Sequence, residues 1–342
     1  MTRFNLLFIG MFSISISLMS FFNIIYSYYF NLYLNLDSYI YSLFISLLFG
    51  ILFLFKKKDQ YKISIYQKII TVILGYLFLP ILISIPYYFS IYNISFIDGY
   101  FESISGFTST GFSIFDNIKH LDESMILWRS SSQWIGGLYF LFSIILLIDI
   151  FDTNLKKSLT NFLSLNLEES LRQYLKISIL YLSLTFFIFL ILNFTGLRVF
   201  DSFNLSMTII SSGGFLPVNN LSEIINTNTK EIILSFLMFL SFFSLYLSYN
   251  LLTTKKNINF YQEDFYLFIY LFIIIFLIYY LDDINNNFST LLLSISSSIS
   301  NIGFTTEGSY EKISFFLLIF TIIGGSFFST SSGLRFLKLY SL

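Results

Sequence analysis

Three stretches decide how this chain is read: Thr108-Ser109-Thr110-Gly111-Phe112, Ser211-Ser212-Gly213-Gly214-Phe215 and Ser300-Asn301-Ile302-Gly303-Phe304. Each is a run of small or polar residues followed by Gly-Phe. Each follows a short amphipathic stretch and precedes a long apolar one. Their glycines lie 103 and 89 residues apart, Gly111 to Gly214 and Gly214 to Gly303. A phrase repeated at such a period fixes architecture before any single residue does. One copy alone reads as a turn or a helix C-cap; three in the same setting ask for a shared purpose.

Composition sets that purpose in a membrane. The chain is 56% hydrophobic and 11% charged, with mean hydropathy +0.76. A soluble domain carries roughly 25% charged residues. Apolar runs at 4–30, 39–55, 66–89, 124–150, 174–195, 230–252, 265–281 and 312–340 are long enough to cross about 30 Å of hydrocarbon. No small-residue cleavage site follows residues 4–22, so the first run reads as a transmembrane helix and not as a signal peptide. Segments 95–109, 200–212 and 288–301 are too short and too polar to span and read as re-entrant helices. The expected fold is an all-α, polytopic membrane protein of tandem helix–pore helix–helix repeats around a central ion path. Two extra spans (1–60) come first, then repeats at 61–158, 159–256 and 257–342.

Basic residues orient these spans. With Arg3 on the cytoplasmic side, Lys56, Lys57, Lys58, Lys62, Lys68, Lys156, Lys157, Arg172, Lys176, Lys255, Lys256, Arg335 and Lys338 share that side. Lys119, Arg129, Arg198, Lys230 and Lys312 fall on the other, as the positive-inside rule expects. All three Gly-Phe phrases then lie on the outer side. So do Asp98, Glu102, Asp116, Asp122, Glu123, Asp201, Glu223, Glu231 and further carboxylates, which either concentrate cations near the short helices or are solvated loop residues.

A selectivity filter requires backbone carbonyls aimed at an ion from several segments, replacing its water. Glycine allows the dihedrals this needs. The candidate filter is therefore Thr108, Ser109, Thr110 and Gly111 with Ser211, Ser212, Gly213 and Gly214 and with Ser300, Asn301, Ile302 and Gly303. The hydroxyl residues would stiffen the backbone, and the Phe after each glycine would pack. Gln133-Trp134-Ile135-Gly136-Gly137 and Ile322-Ile323-Gly324-Gly325 echo each other in the fourth and eighth spans, the first as a close helix contact. After the second comes a polar run: Ser326, then Ser329, Thr330, Ser331, Ser332 and Gly333. A run of that kind loosens a helix and persists only where it is buried or lines water, so 324–333 is a candidate gating loop. Arg129 either partners Glu102 or snorkels to the headgroups. Residues 151–173 form an amphipathic cytoplasmic segment, an ordinary surface helix or a docking site.

Other chemistries find little support. With no cysteine, disulfides and thiolate sites are excluded, and the single histidine, His120, leaves almost no room for His-based metal or triad chemistry. No phosphate loop, dinucleotide fingerprint, HExxH or GxSxG occurs. A membrane-embedded enzyme would need convergent acid and base groups, and only an isolated Asp149 stands in a span. The chain is expected not to be an enzyme, and to have no cofactor and no nucleic-acid partner.

Asp98-Gly99-Tyr100-Phe101-Glu102 through Gly111, Trp128-Arg129, Gln133 to Gly137, Phe200-Asp201-Ser202-Phe203, Gly213 to Phe215, Asn301 to Thr306 and Ile323 to Gly325 together resemble the TrkH-type membrane subunit of the bacterial Trk/Ktr potassium-uptake family. The resemblance runs over nearly the whole chain. It implies K⁺ uptake across the cell inner membrane, a homodimer, a cytosolic nucleotide-binding regulator of the TrkA kind, filter carbonyls from the three phrases, and a gating loop after Gly325. The family's gating loop is richer in glycine, where this chain has Phe328, Ser331 and Ser332. The family has four repeats, and the sequence ends at Leu342 with the third; the alternative expectation is a truncated, non-conducting membrane fragment or scaffold.

Overall fold

The computed structural model describes residues 3–54, 64–151, 170–245, 262–281, 287–304 and 314–336. The helices in chain order are α1 (Arg3–Tyr29), α2 (Leu36–Leu54), α3 (Ile65–Tyr88), α4 (Phe96–Phe107), α5 (Glu123–Phe151), α6 (Ser170–Phe194), α7 (Val199–Ile210), α8 (Asn228–Phe242), α9 (Gln262–Leu281), α10 (Phe288–Ser300) and α11 (Ser314–Ile322). Two short parallel strands follow, β1 (Ile323–Gly324) and β2 (Leu334–Arg335). Leu6–Tyr29, Leu36–Leu54, Ile65–Tyr88, Glu123–Leu147 and Tyr174–Phe194 are long and apolar enough to cross a membrane. Helices α4, α7 and α10, of 12, 12 and 13 residues, are the three expected short segments. At 1.5 Å per residue they reach about 20 Å, too little to span.

Two expected spans are not continuous helices. The sixth, 230–252, stops at Phe242, where Phe243 turns extended (φ −77°, ψ 161°). In the eighth, 312–340, α11 ends at Ile322 and gives way to the polar loop between β1 and β2. The sequence forecast loosening there; the structure makes it a complete break. Lys156, Lys157, Glu168 and Glu169 of the expected cytoplasmic segment lie outside the described residues.

The chain divides into two compact units, Met1–Ile177 and Ser178–Leu342. In the first, α1 and α2 pair through small residues. Ser20 Oγ donates to Ser42 Oγ at 2.9 Å, and a Cβ on Gly50 would stand 2.6 Å from the Ile14 side chain. Close approach of this kind is how apolar helices gain packing where lipid offers no hydrophobic drive. Helix α3 starts with a capping box between Ser64 and Gln67. Asp122 ties the neighbouring loops together, accepting from Asn35 Nδ2 and Tyr92 Oη, each at 3.0 Å. Burial, helped by the Asp122 charge, pushes the Tyr92 phenol up to about 12.

Helix α5 is the spine of this unit. Its Tyr139 is fully buried among Phe8, Phe12, Tyr76 and Phe107 and donates to the Val72 carbonyl at 2.9 Å. One helical turn toward its N-terminus, Gly136 meets the end of α4 so closely that a Cβ would lie 2.0 Å from the Phe107 carbonyl oxygen. The expected packing role of this glycine holds. Nearer the start of α5, Arg129 Nε donates to Glu102 Oε1 at 2.8 Å, and the two side chains are 1% and 0% exposed. Glu102 also accepts from Ser113 Oγ and from the Ile114 backbone N–H, at 3.1 and 2.9 Å. Arg129 is therefore a partner for Glu102 and does not snorkel, and Glu102 is a structural ion and not an outer attractor for cations. In the second unit the core gathers Phe239, Phe242 and Phe243 with Leu267, Leu271, Leu291, Ile295 and Ile299, joining α8, α9 and α10.

Gly136→Ala should destabilise the protein by about 1–3 kcal/mol, because α4 and α5 must part to admit the methyl group. Thermal unfolding in detergent checks this, and an unchanged midpoint would contradict the contact. Glu102→Ala should cost about 3–5 kcal/mol by leaving Arg129 buried without its carboxylate, whereas Glu102→Leu combined with Arg129→Met should cost less than either single change. Additive effects in that cycle would show the pair to be uncoupled.

Candidate functional site

The three phrases have one backbone design. Helices α4, α7 and α10 end with a residue in the left-handed region: Ser109 (φ 54°), Ser212 (φ 51°) and Asn301 (φ 58°). Around each, two bonds close the helix. Ser109 N–H donates to Gly106 at 2.9 Å and Thr110 N–H to Ser105 at 2.9 Å. Ser212 donates to Ile209 at 3.1 Å and Gly213 to Thr208 at 2.8 Å; Asn301 donates to Ser298 at 3.2 Å and Ile302 to Ser297 at 3.1 Å. This is the Schellman closure, made with Ser and Asn where glycine is the usual choice. Thr108 and Ser211 are the C-caps before it, and Ser300 is the last residue of α10.

The glycines differ in detail. Gly111 and Gly303 have φ of 83° and 81°, whereas Gly214 does not enter that region. Gly303 is exposed, with no atom within 4 Å of the place a Cβ would take. The Phe after each glycine does not always pack as expected. Phe215 and Phe304 are buried, but Phe112 is 69% exposed within its chain. Nor do the hydroxyls within the phrases supply most of the stiffening. Thr108 Oγ1 reaches Thr110 Oγ1 at 2.7 Å, but the recurring bonds come from residues six positions before each glycine, namely Ser105, Thr208 and Ser297. Sequence reading passed over these three, although Ser or Thr at that fixed offset was visible.

In the second unit the candidate gating loop docks onto the break in α8. The Ser241 carbonyl accepts the N–H groups of Thr330 and Ser331, both at 3.2 Å, and the Phe242 carbonyl accepts Ser326 N–H at 3.0 Å. Gly325 lies so close that a Cβ would stand 2.2 Å from the Phe242 oxygen. Inside the loop Ser331 Oγ accepts from Gly325 N–H at 3.0 Å, Ser329 Oγ donates to the Ser326 carbonyl at 2.8 Å, and the Ser329 and Ser331 hydroxyls are 3.0 Å apart. Gly324 pairs with Arg335 across β1 and β2. Residues 324–331 are buried, while Ser332 and Gly333 are exposed. Irregular backbone that is buried and bonded to protein groups is the form in which a membrane interior tolerates it.

Arg335 closes the loop from its C-terminal end. Its Nη1 donates to Ser329 Oγ at 2.9 Å and to the Ser331 and Ser326 carbonyls at 3.0 and 3.2 Å. The loop also touches two of the phrases: the Ser212 and Thr330 hydroxyls are 3.4 Å apart, and Asn301 Nδ2 donates to the Ser332 carbonyl at 3.4 Å. Among the described residues no group of three or more His, Asp or Glu stands close enough together to hold a metal ion. The chemistry available here is that of carbonyl and hydroxyl oxygens.

No protein-family model matches the sequence. The chain is 30% identical over 324 residues to an uncharacterized cation transporter of Methanocaldococcus jannaschii, covering 90% of this chain and 65% of that protein. It is 23% identical over 305 residues to the Trk system potassium uptake protein TrkH of Escherichia coli K12, covering 84% of this chain and 63% of that protein. Its fold matches the crystal structure of the potassium transporter TrkH from Vibrio parahaemolyticus with a TM-score of 0.79 at 21% identity, over 99% of this chain and 74% of the other. The chain spans 65% and 63% of the two curated relatives. It is similar in sequence to a cation transporter and to TrkH potassium uptake proteins, and it has the fold of the TrkH structure.

Proposed function

We propose that this chain conducts potassium, or potassium with other monovalent cations, into the cell across the inner membrane. The path is lined by carbonyls of Thr110–Gly111, Ser212–Gly214 and Ile302–Gly303, each phrase belonging to one of the repeats 61–158, 159–256 and 257–342. The observation that carries this reading is the identical closure of three short helices, each delivering a Gly-Phe phrase. Kinship with proteins named for potassium uptake and cation transport supports it. The ion sheds water at the carbonyls and is driven by membrane potential. The loop 324–333 is the gate, held against α8 by the Ser241 and Phe242 carbonyls and latched by Arg335. The working assembly is a homodimer with a soluble nucleotide-binding regulator of the TrkA kind.

Rb⁺ uptake in a host stripped of its own potassium importers tests the proposal. Expression of this chain should restore uptake and growth on limiting K⁺; verified expression without either would overturn the reading. Gly303→Asp places a side chain in open space at the phrase and should cut uptake by about tenfold or more, equivalent to about 1.4 kcal/mol or more in the path. Uptake at the wild-type rate by a well-expressed Gly303→Asp variant would remove that segment from the filter. Arg335→Gln loosens the loop's oxygens and should raise basal uptake; unchanged flux would show that Arg335 does not latch a gate.

A further inference from the structure

Ser and Thr side chains inside helices ordinarily bond backwards to a carbonyl three or four residues earlier. Neighbours in these short helices do so: Ser103 to Gly99 at 2.7 Å, Thr108 to Ile104 at 2.7 Å, Ser206 to Phe203 at 2.7 Å, Ser211 to Met207 at 2.8 Å, Ser296 to Leu293 at 2.9 Å. Three hydroxyls reach forwards instead. Ser105 Oγ donates to the Phe112 carbonyl at 2.5 Å, Thr208 Oγ1 to the Phe215 carbonyl at 3.0 Å, and Ser297 Oγ to the Phe304 carbonyl at 2.8 Å. All three span seven residues, and the three side chains are 4%, 0% and 3% exposed, out of reach of bulk water. The same three residues accept, through their backbone carbonyls, the N–H of Thr110, Gly213 and Ile302. One residue per repeat thus anchors its phrase at both ends, by its C=O at the start and by its O–H beyond the glycine.

Between the two anchors lie the peptides Thr110–Gly111, Gly213–Gly214 and Ile302–Gly303. Their carbonyls are among those assigned to the filter, so this inference rests on the proposed function. We infer that Ser105, Thr208 and Ser297 are positioning residues that set ion selectivity. The hydroxyl turns the Phe carbonyl back to the helix and fixes the curvature of the loop. The carbonyls between are then held at a set spacing, unable to close around a smaller ion or to spread around a larger one. Whether selection works by cavity size or by the number and field of the carbonyl dipoles, it depends on how far those dipoles can move. The middle position carries Thr, whose branched side chain has fewer rotamers to lose than Ser and a methyl group to pack.

The test measures uptake of Rb⁺ against Na⁺ by membranes containing the full chain, together with the shift in melting temperature of the purified protein on exchanging K⁺ for Na⁺. Ser105→Ala, Thr208→Val and Ser297→Ala should each lower the Rb⁺/Na⁺ ratio about two- to tenfold, the range set by losing one hydrogen bond of ordinary net strength. Each should also shrink the difference in melting temperature between the two ions. Ser297→Thr and Thr208→Ser keep the hydroxyl and should keep the ratio. Ser296→Ala removes an equally buried hydroxyl that bonds backwards; it should lower stability without touching the ratio. Alanine or valine variants with the wild-type ratio, or a ratio lost equally in Ser296→Ala, would overturn the positioning role. A wild-type chain with neither Rb⁺ uptake nor any ion-specific shift would overturn the filter reading, and this inference with it.

Discussion

Backbone amides and carbonyls away from water must find partners within the protein, and the rest of this structure follows from that constraint. A helix that crosses and leaves solves the problem by itself, as α1 and α2 do. A helix that stops part-way does not, because its last carbonyls and the chain beyond it stay unbonded. Helices α4, α7 and α10 stop part-way and close with paired backbone bonds and a left-handed residue. Helix α8 stops part-way as well and is closed by a distant segment, the loop after α11. Every irregular stretch assigned to function here is a solution to a helix ending.

The solutions differ in what they hold still. The short-helix closures are local, made by residues three to seven positions apart, and each can form as soon as its helix does. The α8 closure is remote, and its strength depends on several hydroxyls of the loop and on Arg335 acting together. A locally closed segment suits a rigid filter, and a remotely closed one suits a part that has to let go. The first repeat adds a third device, the buried Glu102–Arg129 pair, which binds the chain beyond Gly111 to both α4 and α5. The second and third repeats have Leu205 and Ser294 at the place of Glu102, nine residues before their glycines, so that device belongs to the first repeat alone.

Much of this was legible in the sequence because it rests on composition and period. The five long spans, the three short helices and the packing role of Gly136 follow from apolar run length and from small residues in apolar surroundings. What escaped was set by contacts far apart in the chain. Nothing near Phe243 marks a helix end: no glycine or proline interrupts residues 230–252, and the break is fixed by Ser326, Thr330 and Ser331 from another element. The exposed Phe112 escaped because its two counterparts are buried, and a repeat invites the same reading for each copy. The forward-reaching hydroxyls escaped for the opposite reason. Ser and Thr are abundant in these helices, and only the geometry separates the three that bond forwards from the many that bond back.

The remote closure of α8 also bears on how the protein is made. The Ser241 carbonyl and its partner Thr330 are 89 residues apart. At roughly 5–20 residues per second, a ribosome needs about 4–18 s to bring the second after the first. For that interval the end of α8 is inside or beside the membrane without the segment that completes it. The carbonyls of Ser241 and Phe242 therefore gain the partners seen in the finished fold only after the chain beyond α11 has been made.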